Sequence, residues 1–182
     1  MASHERNNHM KKFNIKTLAT LSMFTAVSVI LARFLGFYLT ESTRVSFEYF
    51  VIVLAGMCFG PLAGAVVGGL SDLIGATLLS AFGFYPPMIV GPILAGLLGG
   101  LLSDYVFKGN LNRWWKFLVI AGVSEIIANL LWGSFALSLL QGLPFLTVLA
   151  LRTPIKLVII FIDAQLIFAV YSALRPILGG RK

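Results

Sequence analysis

Long apolar runs without a polar side constrain this chain more than any other feature. A helix at the surface of a water-soluble domain carries charged residues on the side turned to solvent. Here residues 13–35, 88–107, 114–140 and 145–174 are apolar on nearly every side, with only isolated charges. A run of about 18 or more such residues is long enough to cross the hydrocarbon core of a bilayer. Charged residues make up 12% of the 182 residues and hydrophobic ones 58%, whereas an average soluble domain is about a quarter charged. The expected fold is an all-α membrane protein, one bundle of six transmembrane helices.

The six segments are drawn at residues 13–35, 46–59, 62–82, 88–107, 114–140 and 145–174, the second of them short. The turn Phe59-Gly60-Pro61, the loop GFYPP (83–87), and the polar stretches KGNLNR (108–113) and QGLP (141–144) separate them. The first segment is too long for a signal-peptide core and lacks a clear small-residue cleavage site. Residues 1–9, MASHERNNH, read as a tag remnant or disordered N-terminus, with Met10 as the native start. Residues 10–182 then form a single membrane domain.

Lysine and arginine in the flanks set the orientation. One set of helix ends carries Arg6, Lys11, Lys12, Lys16, Lys108, Arg113, Lys116, Arg175, Arg181 and Lys182, ten of the fourteen cations. The opposite set carries only Arg33, Arg44, Arg152 and Lys156. The first set is expected in the cytoplasm, with both termini inside. This bias accounts for the net charge of +7 without any nucleic-acid partner.

Several chemistries find no motif. A single cysteine, Cys58, allows no internal disulfide and no zinc cluster, and reads as a small apolar filler. The histidines, His4 and His9, both lie in the polar N-terminal stretch, and there is no HExxH sequence. There is also no GxxxxGK[ST] phosphate loop, no nucleophile elbow and no paired catalytic carboxylate motif. The expectation is a non-enzyme without cofactor or metal that borrows its energy elsewhere. Small residues recur at four-residue steps, at Gly64 and Gly68, at Gly91, Ala95 and Gly99, and at Gly96 and Gly100. Such faces let helix backbones approach closely where lipid gives no hydrophobic drive for association.

Polar groups inside a membrane are costly, about 2.5–3.5 kcal/mol for a central charge on insertion scales. Glu125, Asn129 and Trp132 fall at i, i+4 and i+7 and share one stripe of an α-helix. Arg152, Lys156 and Asp163 share a face of the last segment. Glu48 and Arg44 stand near the outer end of the second segment, and Asp72 is central in the third. One reading is internal pairing, with Arg152 or Lys156 set against Glu125 or Asp163 to lock the bundle. The other is a polar cavity open to the outside and suited to an anionic small molecule. Phe47, Tyr49, Phe84, Tyr85, Trp132 and Phe145 supply aromatic faces, and Tyr85 in the GFYPP loop is placed to cover a bound ring.

Four passages carry a resemblance over nearly all of residues 12–175. They are SMFTAVSVILARFL (22–35), TRVSFEYFVIVLAGMCFGPLAGAVVGGLSDLIGA (43–76), GFYPPMIVGPILAGLLGG (83–100) and LRTPIKLVIIFIDA (151–164). In these the chain resembles the S components of energy-coupling-factor (ECF) vitamin transporters, and their folate family in particular. The resemblance implies a plasma-membrane subunit that captures folate from outside. A membrane coupling (T) component and two cytoplasmic ATPases would then drive uptake. It also implies a small-residue docking face on the first helix, here Ala19, Ser22 and Ala26, with serine where the family has alanine. Folate joins a flat pterin to a glutamate with two carboxylates. Arg152 and Lys156, with Arg44, suit the tail, and Glu125 and Asn129, with Glu48, suit the N–H donors of the pterin edge. Trp132 or Tyr85 can lie against the pterin face. Alternatives are an S component for pantothenate or a deazapurine precursor, a structural membrane subunit, or a membrane-embedded transferase. The last would need an acidic metal cluster or a catalytic histidine.

Overall fold

The computed structural model describes residues 15–40, 43–78, 85–111 and 113–178. The N-terminal stretch read as a tag remnant, and Met10, lie outside them. The chain forms α1 (Ile15–Phe34), β1 (Phe37–Thr40), β2 (Thr43–Val45), α2 (Glu48–Phe59), α3 (Pro61–Leu78), α4 (Pro86–Leu101), α5 (Trp114–Glu125), α6 (Gly133–Gln141) and α7 (Phe145–Leu178). A π-helical turn, Leu102–Val106, extends α4. A longer π-helical stretch, Ile126–Trp132, joins α5 to α6. The rod Trp114–Gln141 is therefore one continuous helical segment of 28 residues.

Five of the six helical segments are long and apolar enough to cross a membrane. The exception is α2, whose 12 residues rise only about 18 Å, well short of a core about 30 Å thick. It lacks a polar side for a different reason. Every residue of α2 from Val51 to Met57 is buried, because α1, α3, α4, α5 and α7 pack around it. The lipid-facing apolar side chains belong to the others, for example Met23, Ile30, Leu62, Leu146, Val158 and Phe161.

The small-residue steps are where α2, α3 and α4 touch. A methyl group added at Gly96 would stand 2.1 Å from the Gly64 carbonyl oxygen, and one at Gly64 would stand 2.5 Å from that of Gly96. Gly56 of α2 completes the contact, its added carbon falling 2.3 Å from the Gly96 oxygen. Gly68 meets the carbonyl oxygen of Pro92, a proline buried inside α4. Backbone is thus the neighbour at each point, and backbone cannot turn aside as a flexible side chain can. Gly96→Ala should lower stability by about 1–3 kcal/mol or more, read as a fall in the detergent melting temperature. Gly122→Ala is the control, since its added carbon meets only the Ile160 side chain at 3.7 Å. Equal shifts for the two would show that the three-helix contact tolerates the added volume.

Two local features depart from the expected organisation. The connection between α1 and α2 is an antiparallel hairpin, pairing Phe37 with Val45 and Tyr38 with Arg44, and β2 rests against α7. In the GFYPP stretch, expected as loop throughout, Pro86 and Pro87 are already the first turn of α4 and Tyr85 is its N-cap. Proline suits that place because its φ is helical and its missing N–H would be unbonded there anyway. Gly83 and Phe84 lie outside the described residues.

Candidate functional site

The chemistry gathers where the second half of the α5–α6 rod faces the first turns of α7. The intervening π-helical stretch is the local cause. It closes i→i+5 bonds and re-aims the side chains that follow, a distortion often found at functional sites. Asn129 lies within it. Its Nδ2 donates to Oε2 of Glu125 at 3.0 Å. The guanidinium of Arg152 on α7 then bridges back to the rod, Nη2 donating to Asn129 Oδ1 at 2.9 Å and Nη1 to Ser134 Oγ at 3.2 Å. Gly133 makes room for that bridge, because a methyl group there would stand 3.3 Å from both Arg152 Nη1 and Asn129 Oδ1.

Four charged side chains are buried together. Glu125 is 2% exposed, Arg152 7%, Lys156 3% and Asp163 1%. The shared face of Arg152, Lys156 and Asp163 is the inner face of α7, while Leu151, Leu157, Val158, Phe161 and Ile162 point outward. Lys156 is within electrostatic reach of Glu125, Arg152, Asp163 and Glu48. Its ammonium stands 5.8 Å above the centre of the Tyr49 ring, a cation–π distance. Internal pairing and a ligand site are therefore not exclusive here. Arg152 is hydrogen-bonded to neutral oxygens, not to either carboxylate. Its buried Nε has no hydrogen-bond partner.

Two of the aromatic candidates, Trp132 and Tyr85, sit at the start of α4. Trp132 donates its indole N–H to the Pro87 carbonyl at 2.8 Å and lies beside Phe135, ring centres 5.8 Å apart. The bond pins the start of α4 to the π-helical stretch. Tyr85 is partly exposed one residue before α4. Glu48 opens α2 and accepts a hydrogen bond from Ser46 Oγ at 3.3 Å. Arg44 is placed by backbone on β2, and its side chain lies outside the described residues. Tyr49, expected only as an aromatic face, and Ser134, not singled out at all, join the cluster. Tyr49 had a signal in its position beside Glu48; Ser134 had none. On α1, Ala19, Ser22 and Ala26 are all exposed, and the Ser22 hydroxyl is satisfied by the Leu18 carbonyl at 3.0 Å. Among the described residues, no group of three or more His, Cys, Asp or Glu side chains could hold a metal ion.

Comparison with known proteins adds four findings. A family model described as "ECF-type riboflavin transporter, S component" matches residues 12–175. The folate transporter FolT of Clostridium novyi is 25% identical over 133 residues, 73% of each chain. A crystal structure of FolT bound with folic acid superposes with a TM-score of 0.70 at 25% identity, covering 93% of this chain and 95% of the other. The S component for biotin from an ECF-type ABC transporter also reaches a TM-score of 0.70, at 17% identity, over 87% of this chain and 92% of that one.

Proposed function

We propose that folate is the ligand of this chain, which belongs to the S components of ECF-type transporters, the family whose riboflavin-transporter model it matches. It is a multi-pass protein of the plasma membrane and the substrate-binding subunit of such a transporter. The buried pair Arg152 and Lys156 is the observation that carries the choice of ligand. Two cations one turn apart repel each other unless anions lie beside them. A riboflavin molecule is flat but uncharged and would add no anion to those cations, leaving Glu125 and Asp163 as their only buried counter-charges among the described residues. Folate brings two carboxylates, and the FolT relatives support the same reading.

In this reading the glutamate tail meets Arg152 and Lys156, with Arg44 at the rim. The pterin edge donates to Glu125, Asn129 supplies the neighbouring amide, and Glu48 borders the entrance. Tyr85 and Trp132 supply ring faces at the outer start of α4. The excess of cations at the ends that hold Lys16, Lys108, Arg113 and Lys116 puts those ends and both termini in the cytoplasm. The site then opens outward. A membrane T component and two cytoplasmic ATPases would supply the energy, with Ala19, Ser22 and Ala26 as the docking face for the T component. The test is calorimetry on purified protein in nanodiscs. Folic acid should bind about a hundredfold more tightly than riboflavin, roughly 3 kcal/mol. A preference for riboflavin would overturn the ligand and leave the family untouched.

A further inference from the structure

The polar chain through the bundle has a direction. Arg152 donates to Asn129 Oδ1, and Asn129 Nδ2 donates to Glu125 Oε2. Below Glu125 the donors run out. Asp163 on α7 lies within hydrogen-bonding reach of Glu125 on α5. Yet Glu125 Oε1 and both Asp163 oxygens are buried with no donor. An ionised carboxylate only accepts hydrogen bonds. Two of them face to face repel and leave each other's lone pairs empty, whereas a protonated carboxyl donates a short, strong bond to its neighbour. Lys156 stands over the Tyr49 ring, within electrostatic reach of both carboxyls but donating a hydrogen bond to none of these three oxygens.

We propose that Glu125 and Asp163 hold one proton in common, donated by Asp163 to Glu125 Oε1, and that this proton sets the charge the site offers to an anionic ligand. The titratable and charged groups facing the pair are Glu48 and Tyr49 from α2, and Arg152 and Lys156 from α7. Neither α4 nor α6 carries a titratable side chain. With the proton in place the buried carboxyls carry one negative charge against the two positive charges of Arg152 and Lys156. Whatever Glu48 adds at the edge, the site is one charge more positive with the proton than without it, so loss of the proton weakens its hold on an anion. Asp163 is thus a positioning residue, acting through Glu125.

Infrared spectroscopy of the ligand-free protein at neutral pH tests the proton without reference to folate. A protonated-carboxyl C=O band that shifts on deuteration should be present, and should vanish in Asp163→Asn and change in Glu125→Gln. Absence of the band in the unaltered protein overturns the proposal, as does a sodium requirement showing that a cation bridges the two carboxylates instead. The second arm rests on the folate reading and uses folic acid. Asparagine keeps a donor toward Glu125 but cannot lose a proton. Asp163→Asn should match the unaltered protein at neutral pH and bind more tightly at alkaline pH, the ratio widening by up to about tenfold per pH unit once the shared proton is lost. Identical pH profiles overturn the role assigned to the proton. If the unaltered protein fails to bind folic acid at any pH, the ligand reading falls and the infrared arm still decides the proton.

Discussion

Replacing Arg152 with alanine should cost folic acid about 2–5 kcal/mol of binding, the range for truncating one side of a buried, hydrogen-bonded charge pair. The guanidinium has two duties. It donates to Asn129 and Ser134, and it carries a buried positive charge. The first duty steadies Asn129 for the pterin edge; the second is proposed for the glutamate tail. Pteroic acid, which lacks the glutamate, separates them. It should lose roughly one hydrogen bond's worth, about 1 kcal/mol, while folic acid loses far more. Lysine at this position restores the charge but not the fork that reaches Ser134 and Asn129 together. Arg152→Lys should therefore recover only part of the folic acid affinity. Equal losses for the two ligands would mean that Arg152 serves the bundle and that the ligand lies the other way round.

Ala26→Trp should abolish ATP-driven uptake in the reconstituted transporter while leaving folic acid binding by the isolated chain unchanged. Ala19, Ser22 and Ala26 lie on the outer surface of α1, and Leu21, Thr25, Ser28, Val29 and Ala32 face the bundle. Added bulk at Ala26 therefore has room in this chain and can meet only lipid or a partner helix. Close helix approach in a membrane tolerates little added volume. Val27→Trp, about 100° further round the helix and equally on the outside, is the control and should transport normally. Normal uptake by the Ala26 variant would place the docking face elsewhere.

The sequence by itself determined the membrane setting, the six helical segments and the cluster of groups that meet in the core. Each of these follows from a local rule. Apolar length decides whether a segment can span, and 3.6-residue spacing decides that Arg152, Lys156 and Asp163 share a face. Small residues at four-residue steps marked the contact between α3 and α4. The tertiary structure decided what such rules cannot reach. That α2 is enclosed by protein and not by lipid depends on five neighbours distant in sequence. Gly56 joins the small-residue contact only because α3 and α4 both cross α2 at that point. Straight α-helical spacing put Trp132 on the stripe of Glu125 and Asn129. The π-helical stretch that holds Asn129 and Trp132 sets the indole N–H on the Pro87 carbonyl, and no single residue in IIANLLW announces that bond. The partners of Arg152 came out as neutral oxygens, not carboxylates, for the same reason. Two helices with a fixed register decide which buried donor meets which acceptor, and periodicity along one helix says only which way each side chain leaves it.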